Sequence, residues 1–323
     1  MEIVSVTNLK KVYGDLPAVK DISFSINQGE VFGFLGPNGA GKTSTINMMI
    51  GLSRPTGGHI VIDGIDAIKD IKKVQRIIGV VPDENNLYGE MNGFDNLCFC
   101  ASLYGIPKAE REKRAVDLLE QFNLTEAGKR PFKTYSKGMR RKLTIAAGII
   151  HNPKILFLDE PTTGIDVESA RQIRELILHL KNQGKTIFIT THYIEDAERI
   201  CDRIAFIVNG KIVKIGTLTE LMENADHEYK IKLVLNDSIR ALKGELEGKF
   251  RNSRIEIPDK NSCLIISKER IALSPILQLL DSKGVSVYEA KEIKPSLEDV
   301  FVKITGLEAS RLQKGKDKAG KLK

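Results

Sequence analysis

The segment Gly36-Pro37-Asn38-Gly39-Ala40-Gly41-Lys42-Thr43 constrains this chain more than any other stretch. It has the form G-x-x-x-x-G-K-T. The apolar run Val31–Leu35 before it reads as a buried strand, and residues 43–50 after it read as a helix. Strand, glycine-rich loop and helix in that order are the context a phosphate-binding loop requires. Its glycines let backbone N–H groups turn inward around phosphate oxygens. The following helix aims its positive end at the same anion. Gly36, Pro37, Asn38, Gly39, Ala40, Gly41, Lys42, Thr43 and Ser44 are therefore candidate phosphate contacts. Lys42 is placed to reach the β- and γ-phosphates, and the Thr43 hydroxyl to face Mg²⁺.

A second decisive element is Ile155-Leu156-Phe157-Leu158-Asp159-Glu160. Four apolar residues predict a buried strand, and two carboxylates stand at its end. In open parallel sheets ligands lie outside the carboxyl ends of the strands. Asp159 fits a Mg²⁺ role through water, since that ion keeps several waters. Glu160 fits a base that orients the attacking water.

Up to about Thr217 the pattern alternates strands and helices. Short strands near Ile3–Val6, Ile22–Ile26 and His59–Ile62 read as antiparallel and peripheral. Strands rich in β-branched residues, at Ile77–Val81, Ile155–Leu158, Thr186–Thr190 and Ile204–Val208, read as a mainly parallel core sheet of an α/β fold. Between about 91 and 150 strands vanish and amphipathic helices replace them. In Lys108–Phe122, for example, Ala115, Leu118, Leu119 and Phe122 share one side. Beyond Met222 the order becomes β-α-β-β-α-β, over Tyr229–Leu235, Ser238–Leu246, Arg254–Ile257, Cys263–Ser267, Ile271–Leu280 and Val285–Ala290. That order predicts a small ferredoxin-like α+β domain. A last helix is expected over Ser296–Ile304, after Pro295. The expected division is thus 1–222, 223–306 and a tail at 307–323.

The length of 323 residues suits such a division. No apolar run is long enough to cross a bilayer, and the first residues lack a signal-peptide pattern. These features predict a soluble cytoplasmic chain. Cys98, Cys100, Cys201 and Cys263 lack metal-site spacing and read as reduced thiols. The net charge of +7 owes much to the basic tail Arg311–Lys323. A solvated, disordered end is its plain reading. Attraction to an anionic membrane is the sharper one. Nucleic-acid binding is disfavoured, because no aromatic residues accompany the lysines.

Thr134-Tyr135-Ser136-Lys137-Gly138-Met139 precedes the basic helix Arg140–Ala147. Alone it is a helix cap. Between the phosphate loop and the acidic strand it resembles the signature segment of the ATP-binding cassette family, usually Leu-Ser-Gly-Gly-Gln. Ser136 and Gly138 match that segment, while Lys137 and Met139 depart from it. The resemblance implies a P-loop cassette with an antiparallel β-subdomain and an inserted helical subdomain. It places Tyr13 against adenine, Asp166 in the loop crossing a dimer interface, and His192 as γ-phosphate sensor. It also implies that two cassettes pair head to tail, so that ATP and Mg²⁺ on one meet Ser136 and Gly138 of the other. Asp83 stands where the family usually has a Gln that links metal and water to the membrane partner. His59, His151, His179 and His227 match nothing and are given no role.

The interval from Lys42 to Ser136 resembles that of a compact transporter cassette, and Ser136-Lys137-Gly138-Met139, Asp83 and the closing Ser296–Phe301 together resemble the type-2 exporter branch. That resemblance implies a catalytic set of Glu160, His192 and Lys42, and metal contacts from Thr43, Asp159 and Asp83. It implies an ATPase peripheral on the inner face of the membrane, homodimeric, and driving a separate permease that docks near Leu87–Tyr104. A soluble cassette ATPase that remodels a protein or nucleic-acid complex is the alternative. An ATP sensor with negligible turnover is opposed by Glu160 and His192.

Overall fold

The computed structural model describes residues 1–84, 86–223, 229–236, 240–250, 252–293 and 296–306. Pro295 and the basic tail, which the sequence analysis singled out, lie outside the described residues. The chain divides into a compact unit over Met1–Leu218 and a second over Thr219–Lys303. The division falls at the first residue of a short helix, Leu218–Glu223, and not after Met222 as expected.

The strands of the first unit are β1 (Glu2–Tyr13), β2 (Leu16–Asn27), β3 (Val31–Leu35), β4 (Gly57–Ile62), β5 (Ile65–Asp66), β6 (Ile78–Val81), β7 (Ile155–Asp159), β8 (Thr186–Thr191), β9 (Arg203–Val208) and β10 (Lys211–Thr217). Its helices are α1 (Lys42–Met49), α2 (Ile71–Gln75), α3 (Gly93–Leu103), α4 (Lys108–Gln121), α5 (Lys137–Ile149), α6 (Val167–Asn182) and α7 (Ile194–Ile200), and α8 (Leu218–Glu223) starts at the unit's last residue. Four strands form an antiparallel sheet in the order β2-β1-β4-β5, and six form the core sheet β10-β9-β3-β8-β7-β6. Pairing in the core sheet is parallel except for the β9–β10 hairpin.

Alternation explains the outer sheet. Val4, Val6, Ile22, Phe24 and Ile26 are buried while the residues between them face outward or lie at the margin. Phe24 meets a cluster of core-sheet rings: its centroid lies 5.1 Å from Phe34, which lies 5.2 Å from Phe188. Burying such a ring contributes about 1.5–3 kcal/mol, so these aromatics fasten the two sheets together. Strands β3, β7 and β8 are buried along their whole length, as parallel strands covered on both faces must be.

Among the described residues no strand lies between Val81 and Ile155. Helices α3, α4 and α5 fill that interval around Leu97, Ala101, Ala115, Leu119, Phe122 and Leu143. Asn92 caps α3 by accepting from the Asp95 N–H at 2.7 Å.

The second unit contains β11 (Tyr229–Leu235), α9 (Lys243–Lys249), β12 (Ser253–Asp259), β13 (Ser262–Ser267), α10 (Leu273–Ser282) and β14 (Val287–Ile293), followed by α11 (Leu297–Thr305). The sheet order is β12-β13-β11-β14, all antiparallel. The third strand inserted between the first two is the mark of a split β-α-β unit. Its core is Ile231, Leu233, Leu235, Ile255, Ile265, Ile276 and Leu280. Two boundaries differ from expectation for local reasons. Val285 does not open β14, because its N–H donates to Leu280 O at 2.9 Å and closes the end of α10. Helix α9 begins only at Lys243, after a 3-10 turn over Arg240–Leu242. No described helix is long and apolar enough to cross a membrane.

Candidate functional site

The strand order β3-β8-β7 brings three carboxyl ends side by side. Leu35 is in register with Thr191, and Asp159 with Thr190. The phosphate loop, the acidic pair and His192 therefore emerge from one edge, although about 150 residues of chain separate the first from the last.

The loop needs its glycines. A Cβ on Gly36 would lie 2.1 Å from Ile207 O, so only glycine lets the backbone pass the end of β9. Gly41 precedes α1 at φ +104°, and a Cβ there would lie 2.6 Å from Ala18 O. With this turn made, the N–H groups of the first turn of α1 have no helical carbonyl ahead of them and face the loop. Asn38, Gly39 and Thr43 are exposed, Pro37 and Ser44 half-buried, and Ala40 buried. Lys42 is buried, and its Nζ donates to Gly36 O at 2.7 Å and to Pro37 O at 3.3 Å.

Lys42 Nζ also lies 3.1 Å from Glu160 Oε1. Glu160 Oε2 accepts from Thr163 Oγ1 at 3.1 Å and meets His192 Nδ1 at 2.7 Å. Glu160 is buried and sits at φ +49°, a conformation that side chains rarely adopt. That turn, just after β7 ends, swings its carboxylate toward Lys42 and His192. Burial alone would raise its pKa. The His192 hydrogen bond and the Lys42 charge overcome burial and hold it at about 2. Glu160 Oε1 is buried without an aligned hydrogen-bond donor. A carboxylate kept ionised accepts hydrogen bonds only and is chemically able to orient a water.

Asp159 lies beside this pair. Thr190 Oγ1 donates to its Oδ1, and Thr43 Oγ1 does so at 3.4 Å. Burial raises its pKa, the two hydroxyls lower it, and the neighbouring Glu160 and Asp83 charges raise it further. Thr43 and Asp159 thus converge from opposite sides of the site.

Several residues beyond those read from the sequence complete the arrangement. Arg141, fully buried on α5, reaches the backbone of residues 82, 83 and 160. Asp196 accepts from Thr162 Oγ1, from Thr191 Oγ1 at 3.5 Å and from Arg174 Nη1 at 2.8 Å. That buried knot ties the segment after Glu160 to the segment before His192. The other predicted residues stand apart. Among the described residues no hydrogen bond or ion pair links Tyr13, Ser136, Gly138 or Asp166 to Lys42 or Glu160. Tyr13 is exposed at the end of β1, with Lys11 Nζ 4.6 Å from its ring centre. Ser136 Oγ caps α5 by accepting from the Met139 N–H at 3.2 Å. Asp166 caps α6 by accepting from the Ser169 N–H at 2.8 Å. A Cβ on Gly138 would lie 2.2 Å from Ser169 Oγ, so the two capped helix starts are packed together.

Comparison with known proteins shows the family of the chain. The family described as ABC transporter matches residues 19–163. The linearmycin resistance ATP-binding protein LnrL of Bacillus subtilis is 36% identical over 302 residues, covering 93% of this chain and 97% of its own. The Nod factor export ATP-binding protein I of Ralstonia nicotianae is 34% identical, covering 95% and 94% respectively. Among solved structures, an ATP-binding subunit of an ABC transporter superposes with a TM-score of 0.63 at 31% identity, over 68% of this chain and 92% of its own. A dimeric post-hydrolysis state of the cassette MJ0796, bound to ADP and Pi, gives 0.62 at 28% identity, over 67% and 98%. The chain belongs to the ATP-binding cassette transporter family, as an ATP-binding, ATP-hydrolysing subunit of the exporter type.

Proposed function

We propose that this chain works as a pair of cassettes on the cytoplasmic face of a membrane, where ATP-driven pairing powers a separate permease. The contact of Glu160 with both Lys42 and His192, at the mouth of the phosphate loop, carries this reading. The glycine cradle, the first turn of α1 and Lys42 suit the triphosphate. Thr43, Asp159 and Asp83 would hold Mg²⁺. Among the described residues no cluster of three acidic, His or Cys ligands forms a metal cage. The Thr43–Asp159 pair instead suits an ion that keeps waters and phosphate oxygens. Bound Mg²⁺ supplies charge neutralisation.

In this reading Glu160 orients the attacking water, His192 holds Glu160 and senses the γ-phosphate, and Tyr13 stacks on adenine. Ser136 and Lys137, exposed at the start of α5, and the buried Gly138 beside them face the partner's nucleotide, and Asp166 lies in the loop that crosses between subunits. The partner is taken to be a second copy of this chain. The proposed functional domains are 1–222 and 223–306, with α8 kept on the cassette side although the compact units part at Leu218.

A groove of about 1010 Å³ offers the permease a seat. It is lined by exposed Leu52 and Leu103 beside Tyr104, with Lys72, Arg76 and Arg114 at the rim and no carboxylate. That lining suits an amphipathic cytoplasmic helix bearing acidic residues. Co-purification of a multi-span membrane protein, lost on Leu103→Glu, tests the permease reading. A soluble remodelling ATPase would bring down no such partner. Accumulation of an ATP-bound pair by Glu160→Gln, with loss of phosphate release, tests the catalytic reading. Full turnover in that variant would remove Glu160 as the base.

A further inference from the structure

Arg141 is the most deeply buried arginine of the site, only 4% exposed. An internal charge is costly unless its donors are met. Nη1 donates to Pro82 O at 2.5 Å, and Nη2 donates to Asp83 O at 2.7 Å and to Glu160 O at 3.4 Å. The same Nη2 lies 3.7 Å from Asp83 Oδ1. The acceptors thus sit on two segments, one after β6 and one after β7, while the arginine rises from α5.

Each segment has a stake in the reaction. Glu160 holds its carboxylate in place through a left-handed backbone turn, and the guanidinium grips that turn from behind. Asp83 adds an acid to a site that already holds Asp159 and Glu160, and Arg141 is a cation within 3.7 Å of it. Ser136, the N-cap of α5, lies five residues before Arg141, which is about 7.5 Å along a helix. A rigid helix therefore joins the exposed cap at Ser136 to the clasp on Glu160. The planar fork presents its donors from two separate nitrogens, whereas an ammonium offers all of its donors from one point.

We infer that Arg141 is a positioning residue that locks the helix beginning at Ser136 to the backbone of Asp83 and Glu160. One subunit's contribution to its partner's nucleotide site then moves as one body with its own site. This rests on the paired-cassette reading above.

The test uses the full chain carrying Arg141→Gln or Arg141→Lys, and each change again beside Glu160→Gln. Three quantities are read: affinity of the unpaired protein for a fluorescent ATP analogue, ATP-driven pairing by light scattering in the Glu160→Gln background, and hydrolysis against ATP concentration in the native background. Analogue affinity and KM stay within about threefold, while pairing weakens and kcat falls by at least about tenfold. Lys does little better than Gln. Unchanged pairing and kcat overturn the inference. So does full recovery by Lys, which would mean that charge alone suffices. So does a matching loss of affinity and thermal stability, which would make Arg141 a packing residue. If Glu160→Gln with Arg141 intact fails to pair, the paired-cassette reading falls and takes the inference with it. If it pairs and the Arg141 variants are indifferent, the inference alone falls.

Discussion

The two units bury different kinds of side chain. The first encloses Lys42, Arg141, Asp159, Glu160, Arg174, His192 and Asp196. Among the described residues the second encloses apolar groups and only Ser262 and Ser267 as polar ones. Both have strands with alternating or continuous apolar faces, so both can fold by burial. Buried charge is a cost that a sheet does not need. Where it is concentrated and held by specific partners, as at the ends of β3, β7 and β8, it marks chemistry. The second unit reads by the same measure as a domain held by its core.

The largest expected effect breaks the first side of this comparison. Glu160→Gln should lower ATP hydrolysis by about 10³-fold while ATP still binds. Phosphate release and equilibrium binding on the same preparation separate the two. Lys42→Ala should instead weaken ATP binding roughly 10- to 100-fold, the worth of a charged hydrogen-bond set. If Glu160→Gln loses binding as well, the buried cluster is structural and the contrast between the units disappears.

Next comes the knot at Asp196. Asp196→Ala would remove the buried carboxylate 2.8 Å from the Arg174 guanidinium and leave it only the more exposed Glu195 at 3.5 Å. An uncompensated buried charge costs about 3–5 kcal/mol, and with Glu195 still in reach the loss should fall below that, readable as a lower urea midpoint. Loss of Thr162 and Thr191 as its donors should also loosen the Glu160–His192 approach, so activity should fall further than stability alone explains.

These residues also show how far the sequence reaches. The phosphate loop and the acidic strand were legible because each is contiguous and its context is local. Tyr229–Leu235 was legible from alternation alone, and the strand forms over those residues. Arg141 was not. It sits between Arg140 and Lys142 in a basic run, and nothing local distinguishes the one that turns inward. Its acceptors lie 58, 59 and 19 residues away. Asp196 and Arg174 are likewise 22 residues apart and join only when α6 and α7 pack. The left-handed backbone of Glu160 leaves no mark in composition. One signal was available and unused: Asn209-Gly210, with φ of +49° and +78°, is the hairpin turn that adds β10 to the edge of the core sheet.

A smaller effect sharpens the electrostatic side. Glu160 has its pKa lowered from 4.5 to about 2 in the folded chain. A depressed carboxylate favours the folded state above its unfolded pKa, and that contribution is lost as pH falls through the folded value. The window is therefore about pH 4.5 down to 2, and the amount about 3 kcal/mol at 1.36 kcal/mol per unit. Chemical denaturation across that range should show a shallower acid loss for Glu160→Gln than for the native chain. Equal slopes would mean that Lys42 and His192 do not hold the carboxylate ionised.

The smallest effect tests the other side. Ile265 is fully buried at the centre of the second sheet, where β13 pairs with β11 and β12. Ile265→Val removes one methyl group and should cost about 1 kcal/mol, seen as a shift in the denaturation midpoint. No ionisable group is touched, so ATP affinity and the acid profile should match the native chain. A change in ATP affinity from so small an apolar edit would mean that the second unit shapes the nucleotide site, and that the division between a charged unit and an apolar one is drawn in the wrong place.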